Sequence, residues 1–300
     1  MSVPAARARV GIAFAVTILL WGSAFPAIRY SVRSFLPAHL TLLRFLFACV
    51  AMTVIAVVGR VPVPPVRLLP RVALIGIMGS VGYHLALNFG LRTVSAAAGS
   101  LMVNLSPVLT AILARTYLRE RMGMRGWSGL ALAVAGGAVI ASGELAAQKA
   151  GVRLAPTGVL LLLFCACCWS VVTVIQKPMM RSLSPSQVGV WSVLIGTIPL
   201  LALSGGLPDA VASAPREALA AVAYLGIGPI GVAYLTWNYC LHRVPASKLS
   251  AATYVLPAVA MLVAWVWPGE TPKVATVVGG GIALLGVVLV TTDKQIGSTD

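Results

Sequence analysis

The sequence predicts an all-α integral membrane protein with ten transmembrane helices, arranged as two inverted five-helix repeats around a central cavity. Of the 300 residues, 59% are hydrophobic and only 10% are charged, whereas soluble domains carry about 25% charged residues. Apolar runs of about 20 residues, the length that crosses the hydrocarbon core of a bilayer, recur along the chain. The second half of the sequence also repeats features of the first half.

The predicted spans are separated by short polar breaks, and each begins and ends with its apolar run. In chain order they cover residues 10–29, 37–59, 71–90, 94–116, 126–143, 155–176, 185–205, 217–238, 246–267 and 274–292. An even number of spans places both ends of the chain on the same side of the membrane.

The positive charge predicts the orientation of these spans. With the N-terminus in the cytoplasm, the inner connections hold 14 of the 22 lysines and arginines and the outer connections hold 7. Because cytoplasmic loops are enriched in these residues, we expect a multi-pass protein of the cell (inner) membrane with both termini cytoplasmic. The net charge of +15 therefore indicates contact with the lipid bilayer and not with nucleic acid. The cluster from Arg115 to Arg125 fits either a topology anchor or a site for anionic lipid head groups.

The two halves of the chain align with each other at a nearly constant offset. Offsets of 150 and 148 residues, called the longer and the shorter offset below, pair uncommon residue types: Asn88 with Asn238, Pro107 with Pro257, Glu120 with Glu270, and Trp21 with Trp169. Because each half holds five spans, the second half enters the membrane from the opposite side, an arrangement typical of secondary transporters. We expect a first repeat over residues 1–145, a linker over 146–154, a second repeat over 155–293 and a cytoplasmic tail over 294–300.

A set of motif residues follows a distinctive order along the chain. It comprises Trp21-Gly-Ser-Ala-Phe-Pro in the first span, Arg44 in the second, Pro107 and Glu120 around the fourth, and the pair Pro257 and Glu270. This order resembles the ten-span EamA branch of the drug/metabolite transporter (DMT) superfamily, and within that branch it is similar to the YddG-type exporters of aromatic amino acids. The resemblance implies that helices 1, 3, 4, 6, 8 and 9 surround a central cavity, with helices 5 and 10 peripheral. Trp169-Ser-Val-Val-Thr-Val replaces a second Trp-Gly-Ser, so the two half-sites need not contact a substrate equally.

The predicted substrate site consists of aromatic and polar side chains within the apolar spans. They are Trp21, Tyr83, His84, Asn88, Trp169, Tyr234, Trp237 and Asn238. Paired indoles offer flat apolar walls to an aromatic solute, and an ionisable residue inside a membrane is a functional candidate because its burial is costly. Each residue also has a structural alternative: helix packing or lipid contact for the indoles, interhelical hydrogen bonds for the amides, and a satisfied structural role for His84.

Arg44 is the other ionisable residue inside a span. It fits either a functional role or a structural one, in which it extends outward to the interface or bonds backbone carbonyls. All seven carboxylates lie at span ends, in connections or in the tails. A carboxylate relay for protons is therefore disfavoured, and His84 remains as a weaker route for proton coupling.

Pro107 and Pro257 are the predicted hinges. A proline within a span lacks a backbone donor, which frees a carbonyl and permits a kink.

Together these patterns predict a secondary transporter that exports small organic metabolites by alternating access at a midplane cavity, with amino acids as the favoured class and aromatic ones as candidates. A multidrug carrier or a nucleotide-sugar-like exchanger is an alternative on the same fold, and a membrane ligand sensor or scaffold is an alternative of another class. An enzyme is disfavoured because the spans hold no metal triad or catalytic dyad, so no metal or other cofactor is expected. The expected partners are a small-molecule substrate and the bilayer. A monomer suffices, since one chain holds both halves, and a dimer is compatible with the sequence.

Overall fold

The computed structural model is almost entirely helical and describes residues 3–90, 102–146, 156–256, 259, 274–294 and 297–298. Its helices, in chain order, are α1 (Val3–Ser31), α2 (Pro37–Val58), α3 (Val66–Gly90), α4 (Ser106–Tyr117), α5 (Met124–Ala146), α6 (Pro156–Met179), α7 (Pro185–Thr197), α8 (Leu207–Ala212), α9 (Arg216–Arg243), α10 (Ala246–Ala252) and α11 (Val274–Thr292). Short 3-10 turns continue α7 (Ile198–Leu203) and α10 (Thr253–Val255). Two short strands, β1 (Glu120–Arg121) and β2 (Gly297–Ser298), pair antiparallel.

Six helical segments among the described residues are long and apolar enough to cross a membrane. They are Arg7–Ala24, Pro37–Val58, Val66–Gly90, Pro156–Met179, Pro185–Leu203 and Arg216–Arg243, and they correspond to predicted spans one, two, three, six, seven and eight. Shorter apolar helices at Met124–Ile140 and Val277–Thr292 correspond to spans five and ten. The predicted all-α membrane class is confirmed. Spans four and nine extend into residues 94–101, 257–258 and 260–267, which lie outside the described residues, so the count of ten remains a prediction.

The chain forms two compact units, and neither unit is one half of the sequence. The first unit comprises Met1–Asn88 and Ile175–Arg243, and the second comprises Phe89–Val174 and Val244–Asp300. Each unit therefore takes segments from both predicted repeats.

In the first unit, α1 lies antiparallel to α9. Thr17 Oγ1 and Thr236 Oγ1 are 2.7 Å apart at one level, and Ser23 Oγ is hydrogen-bonded to Tyr224 OH at another. These bonds satisfy hydroxyl groups that find no water in hydrocarbon. They also hold α1 in a fixed register on α9.

Small residues let α3 cross α7 closely in the first unit. A Cβ atom on Gly196 would lie 2.6 Å from the carbonyl carbon of Gly76. A matching approach brings α9 to α2, where a Cβ atom on Gly226 would lie 2.6 Å from Phe47 Cβ and 3.1 Å from Ala48 N. Gly76 corresponds to Gly226 under the longer offset, and Ala48 corresponds to Gly196 under the shorter one. The crossing of α3 with α7 and the crossing of α9 with α2 are therefore formed by equivalent residues of the two repeats.

In the second unit, α5 and α11 pack along two stripes of small residues. A Cβ atom on Gly136 would lie 2.5 Å from Gly279 O, and one on Gly129 would lie 2.8 Å from Gly286 O. Such stripes allow membrane helices to approach closely. Gly129 corresponds to Gly279 and Gly136 to Gly286 under the longer offset, so these contacts are also reciprocal. Reciprocal contacts are what a two-fold relation produces, and they support the predicted repeats.

Two buried carboxylates close one end of the second unit. Glu120 accepts hydrogen bonds from Ala246 N at 2.7 Å and Ser247 N at 3.0 Å, at the start of α10. Asp293 Oδ2 accepts from Gly123 N at 2.9 Å and Gly126 N at 3.0 Å, at the start of α5. Both carboxylates satisfy backbone N–H groups that a helix leaves open at its N-terminus. Because β1 also pairs with β2, the connection before α5, the connection before α10 and the end of α11 lie together.

Candidate substrate site

Two π-helical segments occupy matching places in the two halves of the sequence. Residues Met78–Leu85 of α3 and Gly226–Val232 of α9 are π-helical, and they overlap when the longer offset is applied. Pro229 lies within the second segment and has no N–H to donate. A π segment widens the helix by one residue per turn and is frequent at functional sites. Tyr83 and His84 lie within the first segment, and the predicted residues Asn88, Tyr234, Trp237 and Asn238 follow the two segments on the same helices.

The aromatic cluster, as we call it, is a chain of ring contacts in the first unit. It consists of Trp21 from α1, Phe45 from α2, Tyr83 and His84 from α3, and Tyr234 and Trp237 from α9. It therefore includes five of the eight predicted site residues, together with Phe45. Four helices contribute to it, so side chains distant in sequence meet at one place.

Trp21 joins the cluster to the π segment of α9. Its indole Nε1 donates to Pro229 O at 3.0 Å. Its ring centroid lies 5.2 Å from that of Trp237 and 6.4 Å from that of Tyr234. Trp237 is buried, whereas Trp21 is only half-buried. The Trp21 ring thus combines a fixed polar edge with a partly open apolar face.

His84 is the buried polar centre of the cluster. Its Nε2 atom and Tyr234 OH are hydrogen-bonded at 2.8 Å. The Phe45 and Tyr83 rings stand nearly perpendicular to the imidazole, with centroids at 5.3 and 5.0 Å. The longer offset also relates His84 to Tyr234, so the two bonded side chains hold equivalent positions of the two repeats. The buried His84 Nδ1 atom has no hydrogen-bond partner among the described residues.

Arg44 lies on α2 directly before Phe45 and is only 2% exposed. Its buried Nε and Nη1 atoms make no hydrogen bond to any described residue. These two atoms are therefore bonded neither to backbone carbonyls nor to a carboxylate in that part of the chain. Arg44 precedes Phe45, whose ring contacts His84, and follows Thr41 by three residues, so it lies on the face of α2 that meets α3.

The two predicted asparagines contact neighbouring helices. Asn88 Nδ2 donates to Thr41 Oγ1 of α2 at 2.7 Å, while the buried Asn88 Oδ1 has no partner among the described residues. Asn238 Nδ2 lies 3.2 Å from the position of a Cβ atom on Gly189 of α7. The shorter offset relates Thr41 to Gly189, so the two contacts are equivalent. Asn88 therefore makes an interhelical hydrogen bond through Nδ2, while its acceptor atom Oδ1 makes none to a described residue.

Of the three remaining predicted residues, two lie in the second unit and one is not among the described residues. Trp169 is half-buried on α6 and belongs to the second unit. Pro107 lies in the first turn of α4, directly after a turn at Asn104 and Leu105 that interrupts the helix. Pro257, the second predicted hinge, lies outside the described residues.

Phe45, Thr41 and the π segments had no distinctive signal in the sequence. Phe45 and Thr41 are ordinary residues of an apolar span, and only the register of α2 against α3 gives them partners. Within the described residues, no group of three or more histidines, cysteines, aspartates or glutamates could hold a metal ion.

The chain is similar to known transporter sequences over nearly its whole length. The profile of the EamA-like transporter family matches twice, at residues 9–142 and 156–292. The chain is 34% identical over 278 residues to the probable terminal-alkyne amino-acid exporter of Streptantibioticus cattleyicolor, covering 93% of this chain and 92% of that protein. It is 31% identical over 279 residues to the uncharacterized transporter YdfC of Bacillus subtilis, covering 93% and 90% of the two chains. A solved crystal structure superposes with a TM-score of 0.76 at 24% identity, covering 94% of this chain and 96% of that one, a likeness that shows the fold alone.

Proposed function

This chain belongs to the EamA-like transporter family, and from that premise we propose that it exports amino acids, with aromatic ones among its substrates. It is a multi-pass membrane transporter. In the proposed mechanism, the solute binds at the aromatic cluster and is released by alternating access of the two repeats.

The aromatic cluster is the observation that carries this proposal. It combines ring faces, which favour an apolar or aromatic side chain, with the buried His84 Nδ1 atom, which has no hydrogen-bond partner among the described residues. A small-molecule site typically joins apolar walls to a few convergent polar groups. The relative named as a probable amino-acid exporter supports the same substrate class.

Alternating access is supported by the internal repetition. The family profile matches each half separately, and the glycine contacts of both units are reciprocal. Pro107 follows an interruption of the helix at Asn104 and Leu105, where a change of helix direction costs few backbone hydrogen bonds. We propose Pro107 as a hinge, and Pro257 as its counterpart in the second repeat.

We also propose that both termini are cytoplasmic. The connections before α5 and α10 lie beside the end of α11, and Arg121, Arg125, Lys248 and Lys294 lie in or next to these segments. In a variant whose five native cysteines are replaced, a cysteine at exposed Lys294 should react with an impermeant maleimide only after the cytoplasmic side is opened. Labelling in intact cells would contradict this orientation.

Flux through the purified protein tests the proposed function. Proteoliposomes loaded with unlabelled L-phenylalanine should accumulate external radiolabelled L-phenylalanine by exchange, whereas protein-free vesicles should not. A sensor or scaffold would bind a ligand without moving it. If saturable binding occurs with no exchange, for phenylalanine or for any other amino acid tried, the proposed function is wrong.

A further inference from the structure

Arg44 is a buried cation without a counter-ion on its own helix or on the helices that form the aromatic cluster. Helices α1, α2 and α3 contain no aspartate or glutamate, and the one acidic residue of α9 is Glu217 in its first turn. Glu217 precedes Tyr234 by almost five helical turns, or about 25 Å along a helix. Because an unpaired buried charge is costly, the lack of a bonded partner for Nε and Nη1 among the described residues makes Arg44 a candidate for binding an anionic ligand.

The geometry of α2 and α3 places the Arg44 guanidinium at the aromatic cluster. Asn88 bonds Thr41, and the next turn of each helix brings His84 against Phe45. Arg44 lies between Thr41 and Phe45 in sequence. The close packing of Gly226 against Phe47 Cβ and the Ala48 backbone N of α2 holds this part of α2 against the π segment of α9.

The unused atoms of Arg44 are those that recognise a carboxylate. A guanidinium presents its N–H groups as a planar fork that matches the two oxygens of a carboxylate. Nε and Nη1 are both buried and have no partner among the described residues. The position of Arg44 is also asymmetric, since the shorter offset places Ser192 at the equivalent position of the second repeat, and Ser192 Oγ bonds Gly189 O at 3.1 Å. Arg44 therefore has no cationic counterpart at the equivalent position of the second repeat.

We propose that Arg44 binds the carboxylate of the transported amino acid and thereby selects carboxylate-bearing solutes, while the aromatic cluster contacts the side chain. This inference rests on the proposed function and deepens it. It places the head group of the substrate at α2 and its side chain against the rings of the aromatic cluster.

A ligand series on the wild-type protein tests the inference without any mutation. In the exchange assay, unlabelled L-phenylalanine and L-phenylalaninamide compete with labelled L-phenylalanine at mildly acidic pH, where both amines are protonated. The amide keeps the ring and the ammonium group but has no carboxylate. Loss of a charge-assisted bidentate contact should weaken competition by the amide at least tenfold. Equal competition by acid and amide would overturn the inference and leave the proposed function intact.

Variants of Arg44 then test whether this residue causes the preference for phenylalanine over its amide. In Arg44→Gln the affinity for phenylalanine should fall to that for the amide, so that the acid-to-amide ratio approaches one. Arg44→Lys, which keeps the charge but not the fork, should give an intermediate ratio. Arg71→Gln, the same change at an exposed position, should keep the wild-type ratio. A folded Arg44→Gln protein that retains the tenfold preference contradicts the assignment. Absence of all amino-acid exchange in the wild type would reject the proposed function, and the inference with it, before any variant is compared.

Discussion

Gly279→Leu is expected to abolish the folded protein, whereas Gly281→Leu on the same helix is expected to be tolerated. A Cβ atom on Gly279 would lie 2.6 Å from Gly136 O and 2.8 Å from Ile140 N. These are backbone atoms of α5, which cannot rotate away as a side chain can. Overpacking a core by methylene groups already costs about 1–3 kcal/mol, and a leucine here must push two helices apart over the length of their contact.

The direction of the stability change on substitution by alanine distinguishes steric crowding from helix propensity. Alanine is a better helix former than glycine by about 1 kcal/mol, so Gly281→Ala should leave the protein as stable as the wild type or more so, since nothing lies within 4 Å of a Cβ atom there. Gly279→Ala should lower the melting temperature instead. The measurement is thermal unfolding of the detergent-purified variants, followed by size-exclusion chromatography. Equal stability of the Gly279 and Gly281 variants would contradict the close packing of α5 on α11.

Much of this architecture could be predicted from the sequence because a segment that crosses the hydrocarbon core must be a long apolar helix with its backbone hydrogen bonds paired internally. A run such as residues 37–59 is read from apolar length alone, and the predicted span agrees with α2 to within one residue. The longer offset rests on matched residues of uncommon type, such as Asn88 and Asn238. In the structure these two asparagines contact equivalent positions of α2 and α7. Gly129 and Gly136, which contact α11 closely, also stand at positions equivalent to Gly279 and Gly286 under this offset.

The partners of the site residues could not be predicted, because apolar periodicity indicates that a helix is buried but not which helices meet. The two compact units mix segments of both halves, and this pairing depends on close contacts such as Gly76 with Gly196. Pro229 lies within the second π segment, whereas Gly79 stands at the equivalent position of the first half, so proline does not mark both segments in the sequence. The sequence shows Arg44 as an intramembrane cation, but it does not show that Nε and Nη1 lack a hydrogen-bond partner among the described residues.

Trp21→Ala is expected to lower the apparent affinity for L-phenylalanine at least tenfold and to affect L-alanine less. The indole is half-buried and lies 5.2 Å from Trp237, so its removal takes away one apolar wall of the cluster. Aromatic pairs contribute roughly 0.5–1.5 kcal/mol beyond the burial of their area, and about 1.4 kcal/mol corresponds to a tenfold change in affinity. Trp21→Phe is the matched control, since it keeps a ring but loses the hydrogen bond to Pro229 O.

The ratio of apparent affinities for L-phenylalanine and L-alanine in Trp21→Ala, measured by exchange in proteoliposomes, tests most directly whether the aromatic cluster is the substrate site. We predict that the wild type prefers phenylalanine, that Trp21→Ala loses at least tenfold of that preference, and that Trp21→Phe retains most of it. If Trp21→Ala is stably inserted and transports phenylalanine with wild-type affinity, then the aromatic cluster is helix packing and the substrate binds elsewhere.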